Sequence, residues 1–113
     1  MRIIHEWFSW YDEKQKIVQY AYDIWWMDLV KLIECENWNW SPRAVWDNWK
    51  AYGLCQINTN YHKLDEWFFD DWKVQVEQCK RLREWWTKFY WPDRIIKGVK
   101  CSKYIESRFT FTE

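Results

Sequence analysis

Glu34 and Glu36 stand two residues apart at the end of an apolar run, Leu29-Val30-Lys31-Leu32-Ile33. A carboxylic acid in such a place suits glycoside cleavage, because an apolar setting keeps it protonated and able to hand a proton to a leaving sugar oxygen. Helical phase favours Glu36, which follows Ile33 by three, Leu32 by four and Leu29 by seven and so continues the apolar stripe. Glu34, two after Leu32 and three after Lys31, is expected to look towards solvent and is the second choice. Downstream, the string Tyr52-Gly53-Leu54-Cys55-Gln56-Ile57-Asn58 returns from a polar loop on a glycine, and Asp47 is the acid within that loop.

Other chemistries are served less well. Cys35, Cys55, Cys79 and Cys101 include no CxxC pair, and His5 and His62 are far apart in sequence, so no zinc pattern is present. Two disulfides, in any of three pairings, and small buried thiols in a reduced protein both fit the four cysteines. Neither metal nor cofactor is expected. The 17 basic and 17 acidic residues balance, which gives no electrostatic case for a nucleic acid partner. No run approaches the roughly 18 apolar residues of a membrane span, and the first residues, MRIIHEWFSWYDEKQ, lack the apolar core of a signal peptide.

The elements that must position the glutamates are mostly helical. A chain of 113 residues is read as a single domain, whole or cut from something longer. Ile17, Val18, Ala21, Ile24 and Trp25 recur at three and four and predict a first amphipathic helix from Lys16. Asp28 is placed to cap a second, which carries Leu29, Val30, Leu32, Ile33 and the two glutamates and stops at Asn37 to Pro42. Residues 43–58 read as a small hairpin or irregular lobe that re-enters a helix near Tyr52 to Ile57. Asn58-Thr59-Asn60 reads as a turn. Trp67 to Trp86 reads as the longest helix, with Trp72, Val76, Cys79, Leu82 and Trp86 in one stripe. Trp91-Pro92-Asp93 breaks it, Ile95 to Ser107 is a weaker segment, and the alternating Phe and Thr of Arg108 to Glu113 suit a short strand or a tail.

The sequence resembles the lysozyme-like superfamily, most closely lytic transglycosylases of the SLT type and related bacterial or phage lysozyme-like domains. The likeness is carried by Glu36-Asn37, Trp40, Pro42, Ala44-Val45 and Gly53-Leu54-Cys55-Gln56-Ile57-Asn58, with Tyr61-His62 and the helix through Trp72 and Cys79 beyond it; it covers about residues 24–91. It implies a mainly α, lysozyme-like fold with a small irregular or β-hairpin lobe beside the catalytic helix. The implied reaction is cleavage of the β-1,4 bond between N-acetylmuramic acid and N-acetylglucosamine in a peptidoglycan strand, with Glu36 as acid and then base. Gln56 and Asn58 would offer amide hydrogen bonds to sugars, Tyr52 an edge of the cleft, and Tyr90, by a looser match, a further cleft tyrosine. His62 is read as structural. Animal-type lysozymes carry an Asp directly before the Tyr-Gly; Ala51 stands there in this chain, leaving Asp47 as the second carboxylate on offer. Paired carboxylates serve hydrolysis, so one acid–base favours the transglycosylase route, in which the muramoyl 6-hydroxyl attacks and a 1,6-anhydro product forms. Such a substrate puts the protein in the periplasm, the cell wall or outside the cell, and a monomer is expected. The alternative from another class is a non-catalytic wall-binding module that keeps the cleft; a weaker one is a helical interaction protein with an aromatic surface.

Two counts depart from ordinary composition. The chain holds 13 Trp and 2 Gly, where about 8 Gly would be average for this length. Against the family pattern Trp38, Trp46 and Trp49 fall where Gly is usual, and Trp25 or Trp26, Trp86 and Trp91 also stand where Gly reads naturally. A gene that reads UGA as glycine, translated with UGA as tryptophan, would account for both counts; a tryptophan-rich surface for stacking sugars would account for one.

Overall fold

The computed structural model describes residues 1–46, 48–89 and 108–112. Two helices and two small antiparallel sheets make it a mixed α/β structure, where the sequence had suggested a mainly α one. The difference comes from the chain ends: β1 (Arg2–His5) pairs antiparallel with β5 (Phe109–Thr112), Ile3 opposite Phe111 and His5 opposite Phe109. The strand at β5 agrees with the Phe/Thr alternation. β1 was not expected, because two of its four residues, Ile3 and Ile4, are adjacent apolar residues with no alternation to read.

Helix α1 (Glu13–Glu36) starts where Asp12 accepts a hydrogen bond from the Lys14 amide at 2.9 Å. The two helices expected here are its two halves: Trp25 and Trp26 leave helical geometry and kink the element between them. Ile17, Val18 and Ala21 in the first half, and Leu29, Val30 and Ile33 in the second, are fully buried and form the centre of the core with Ile3, Trp40, Leu54 and Val76. The first half also serves β1. Gln19 accepts from the Ile3 amide at 3.0 Å, Gln15 accepts from the His5 amide at 3.0 Å, and Gln15 donates to the Ile3 carbonyl at 2.5 Å. Two glutamines four apart on one helix face thus stand in for a neighbouring strand and satisfy backbone groups that burial would otherwise leave unpaired.

Helix α2 (Trp72–Phe89) begins five residues later than the periodicity suggested. Residues 65–71 make turns instead, with the Phe68 amide on the Asp65 carbonyl and the Asp71 amide on the Trp67 carbonyl, and Asp71 caps the helix by accepting from the Lys73 amide at 2.9 Å. Val76 and Cys79 are buried as their stripe required. Between the helices lies a three-stranded sheet, β2 (Val45–Trp46), β3 (Ala51–Tyr52) and β4 (Ile57–Asn58), in antiparallel order β2-β3-β4. The expected lobe is therefore a small sheet, and Tyr52 to Ile57 is strand and turn rather than helix, since Tyr52 pairs with both Val45 and Ile57. The break at Trp91-Pro92-Asp93 and the segment Ile95 to Ser107 lie outside the described residues.

Cys55 and Cys79 form a disulfide that ties the lobe to α2, and Cys35 is disulfide-bonded as well. Of the two readings open for the cysteines, the oxidised one is the one the structure adopts. No helix among the described residues is long and apolar enough to cross a membrane.

Candidate active site

The C-terminal turn of α1 and the lobe meet at one atom. Asn37, the fully buried cap of α1, donates through Nδ2 to the Gly53 carbonyl at 3.1 Å and to the Ser41 carbonyl at 2.7 Å, and its Oδ1 accepts from the Ser41 amide at 3.2 Å. Gln56 Nε2 donates to the same Gly53 carbonyl at 2.8 Å. The two halves of the sequence motif, Glu36-Asn37 and Gly53 to Gln56, are thereby joined through a shared acceptor.

Gly53 can hold this place because it has no side chain. Its φ is 74°, and a Cβ there would lie 2.5 Å from Gln75 Oε1 and 2.6 Å from the Phe68 ring. Gln75 is the group that presses so close. It is completely buried on α2, accepts from the Leu54 amide at 3.1 Å and donates at 2.8 Å to both the Pro42 and Phe68 carbonyls. One turn on, Gln78 accepts from the Asp65 amide at 2.9 Å and donates to the Lys63 carbonyl at 2.8 Å. The two glutamines clamp the lobe and the following loop to α2. Neither was singled out from sequence; the signal was amides at 75 and 78 flanking the buried positions 76 and 79.

The two glutamates exchange the environments expected of them. Glu34 is 2 % exposed, while Glu36 is partly exposed. The buried stripe runs through Leu29, Val30 and Ile33, so Glu34, four after Val30, lies on it; Leu32, on which the phase argument for Glu36 leaned, is itself only half-buried. What covers Glu34 comes from far along the chain. His5 Nε2 lies 3.2 Å from both its carboxylate oxygens, Arg108 Nη1 lies 2.8 Å from Oε1, and the Trp40 indole N–H donates to Oε2. His5 Nδ1 accepts from the Trp7 amide at 3.0 Å, which leaves its proton on Nε2, facing Glu34. Burial pushes the Glu34 carboxyl up, but the hydrogen bonds from His5, Arg108 and Trp40 outweigh it and hold the carboxyl below the usual carboxylate value. A buried carboxylate kept ionised by three donors has neither the proton nor the access that a general acid requires. Glu34 is a structural anion that joins the β1–β5 sheet to α1.

The remaining expected residues divide. Tyr52 is partly exposed at the lobe; its hydroxyl donates to the Trp49 carbonyl at 2.7 Å and its ring meets Phe69 edge-on. Gln56 turns its NH2 onto backbone, and its buried Oε1 has no hydrogen-bond partner among the described residues. Asn58 accepts from the Asn60 amide at 2.9 Å, which accounts for the turn expected there. His62 packs edge-on against Trp85. Asp47 and Tyr90 lie outside the described residues. Among the described residues no group of His, Cys, Asp and Glu could hold a metal ion.

A separate groove of about 640 Å³ runs beside the first half of α1 and includes Arg2, Trp10, Tyr20, Asp23, Trp72 and Lys73. Its rings carry cations already, Arg2 over Trp10 at 4.7 Å and Lys73 over Tyr20 and Trp72 at 5.8 Å, and so offer no bare platform for a sugar. No family model, curated protein or solved structure matches the chain.

Proposed function

We propose that this chain is a peptidoglycan-cleaving domain of lysozyme-like type, acting as a lytic transglycosylase with Glu36 as its acid–base. The observation that carries the reading is the junction at Gly53: Asn37, the residue after Glu36, and Gln56, from the return string, donate to one carbonyl. That junction supports a cleft with the end of α1 as one wall and the β2–β4 sheet as the other. Glu36 is the last residue of α1 and is partly exposed there.

In this mechanism the Glu36 carboxyl protonates the glycosidic oxygen as the bond from muramoyl C1 to that oxygen breaks. The same carboxylate then takes the proton of the muramoyl 6-hydroxyl as O6 bonds to C1, closing the 1,6-anhydro ring and restoring the acid. One residue serves both proton steps, which suits a chain with Ala51 where animal-type lysozymes carry Asp. Gln56 is partly exposed beside the junction, which supports a place for it at the edge of the cleft.

Zymography on purified peptidoglycan tests the reading. Glu36→Gln is expected to abolish clearing while Glu34→Gln retains some. Clearing that survives Glu36→Gln overturns the acid assignment, and no clearing by the unsubstituted chain favours a wall-binding module. Mass spectrometry of the released muropeptides decides the route, because reducing-end products without anhydro sugars would refute the transglycosylase choice.

A further inference from the structure

Among the described residues, six other than glycine have a positive φ, and four of them are tryptophan: Trp26 (φ 50°), Trp40 (54°), Trp49 (66°) and Trp67 (68°), beside Asn48 (56°) and Gln56 (50°). Asparagine tolerates this region through local side-chain bonds, but a bulky Cβ substituent is strained there. With 13 tryptophans among 113 residues, such a concentration at the one backbone conformation that favours glycine needs a cause.

The four sites differ in what their side chains do. Trp40 is completely buried and donates to Glu34, contacts that offset its backbone strain. Trp26, Trp49 and Trp67 are 68 %, 77 % and 63 % exposed, so their rings recover little from packing. Their backbones are also sites made for glycine. Trp26 combines φ 50° with ψ −152°, the mirror image of extended backbone, at the kink inside α1. Asn48 and Trp49 are consecutive positive-φ residues in the β2–β3 connection, where Asn-Gly is the pair that fits best. The Trp67 carbonyl accepts from both the Asp70 and Asp71 amides, closing the turn before α2.

We infer that positions 26, 49 and 67 are glycine in the functional protein, the gene being one in which UGA is read as glycine, and that Trp40 is a true tryptophan. This sharpens the compositional expectation in both directions. Trp67 joins the set on backbone grounds alone, and of the three loop tryptophans Trp38, Trp46 and Trp49, the left-handed backbone singles out Trp49.

The inference is independent of any glycan activity, and its test reads codons and stability. UGA is expected at codons 26, 49 and 67 and UGG at codon 40. The triple variant W26G/W49G/W67G is expected to raise the thermal midpoint by at least about 5 °C, since three strained sites are relieved together, whereas W40G lowers it. UGG at codons 26, 49 and 67 overturns the inference, and so does a triple variant whose midpoint is unchanged or lower.

Discussion

Asn37 Nδ2 lies 3.1 Å from the Gly53 carbonyl oxygen, a bond that fastens the residue after Glu36 to the turn of the β-lobe. Asn37 is fully buried, so truncation takes one donor from the Gly53 carbonyl, which keeps Gln56, and one from the Ser41 carbonyl, which keeps the Ala44 amide. Asn37→Ala is expected to cost about 2 kcal/mol, at about 1 kcal/mol for each of the two hydrogen bonds its amide donates, read as a lower urea midpoint. If the lobe and α1 form the cleft together, kcat for glycan cleavage falls more than stability alone explains; an unchanged urea midpoint would mean that the link does not hold the lobe.

Gly53 and Gln75 form a matched pair, glycine on one side and a fully buried amide on the other. Gly53→Ala puts a methyl 2.5 Å from Gln75 Oε1 at a φ of 74°. Overpacking and backbone strain together are expected to cost about 3 kcal/mol. Gln75→Leu fills similar volume but strips partners from the Leu54 amide and from the Pro42 and Phe68 carbonyls; a loss of about 3 kcal/mol is expected. Because the two residues touch, the double variant should lose less than the sum of the singles. Strict additivity in urea unfolding would contradict the contact.

The Cys55–Cys79 disulfide spans 24 residues and crosses from the lobe to α2. Closing a loop of that length is worth about 3 kcal/mol in chain entropy. Cys55→Ser/Cys79→Ser is therefore expected to unfold at lower urea and to lose protection first in the lobe, as read by amide hydrogen exchange. Uniform loss of protection across α1 and the lobe would argue that the bridge stabilises the whole fold evenly.

What could be read from the sequence follows how local each signal is. The stripes through Ile17, Val18, Ala21 and through Leu29, Val30, Ile33 announced both halves of α1, and the Phe/Thr alternation announced β5, because each is a short-range pattern. Glu34 went astray because its burial is decided by His5, Trp40 and Arg108, the last of which lies 74 residues away in sequence. Phase on one helix cannot say which side distant strands will cover. The glutamines at 15, 19, 75 and 78 were passed over for a related reason. A Gln beside a buried stripe reads as surface until the backbone it must satisfy is known, as with the β1 edge for Gln15 and Gln19 and the lobe for Gln75.

The Glu34 anion should make the fold acid-sensitive. Its carboxyl is held below the usual value in the folded chain, so the unfolded state binds the proton more readily. Its contribution is then fully present above the unfolded carboxylate pKa of about 4.3 and is lost as pH falls through the lower, folded value. At pH 7, Glu34→Gln is expected to cost about 2 kcal/mol, less than the loss of a wholly buried pair because Arg108 reaches solvent. The gap in urea midpoint between wild type and Glu34→Gln should hold from pH 7 to about pH 5 and narrow below about pH 4. Other carboxylates titrate in both proteins and cancel in that difference. A gap that stays constant down to pH 3 would show that Glu34 is not held as an anion, and would return it to consideration as a proton donor.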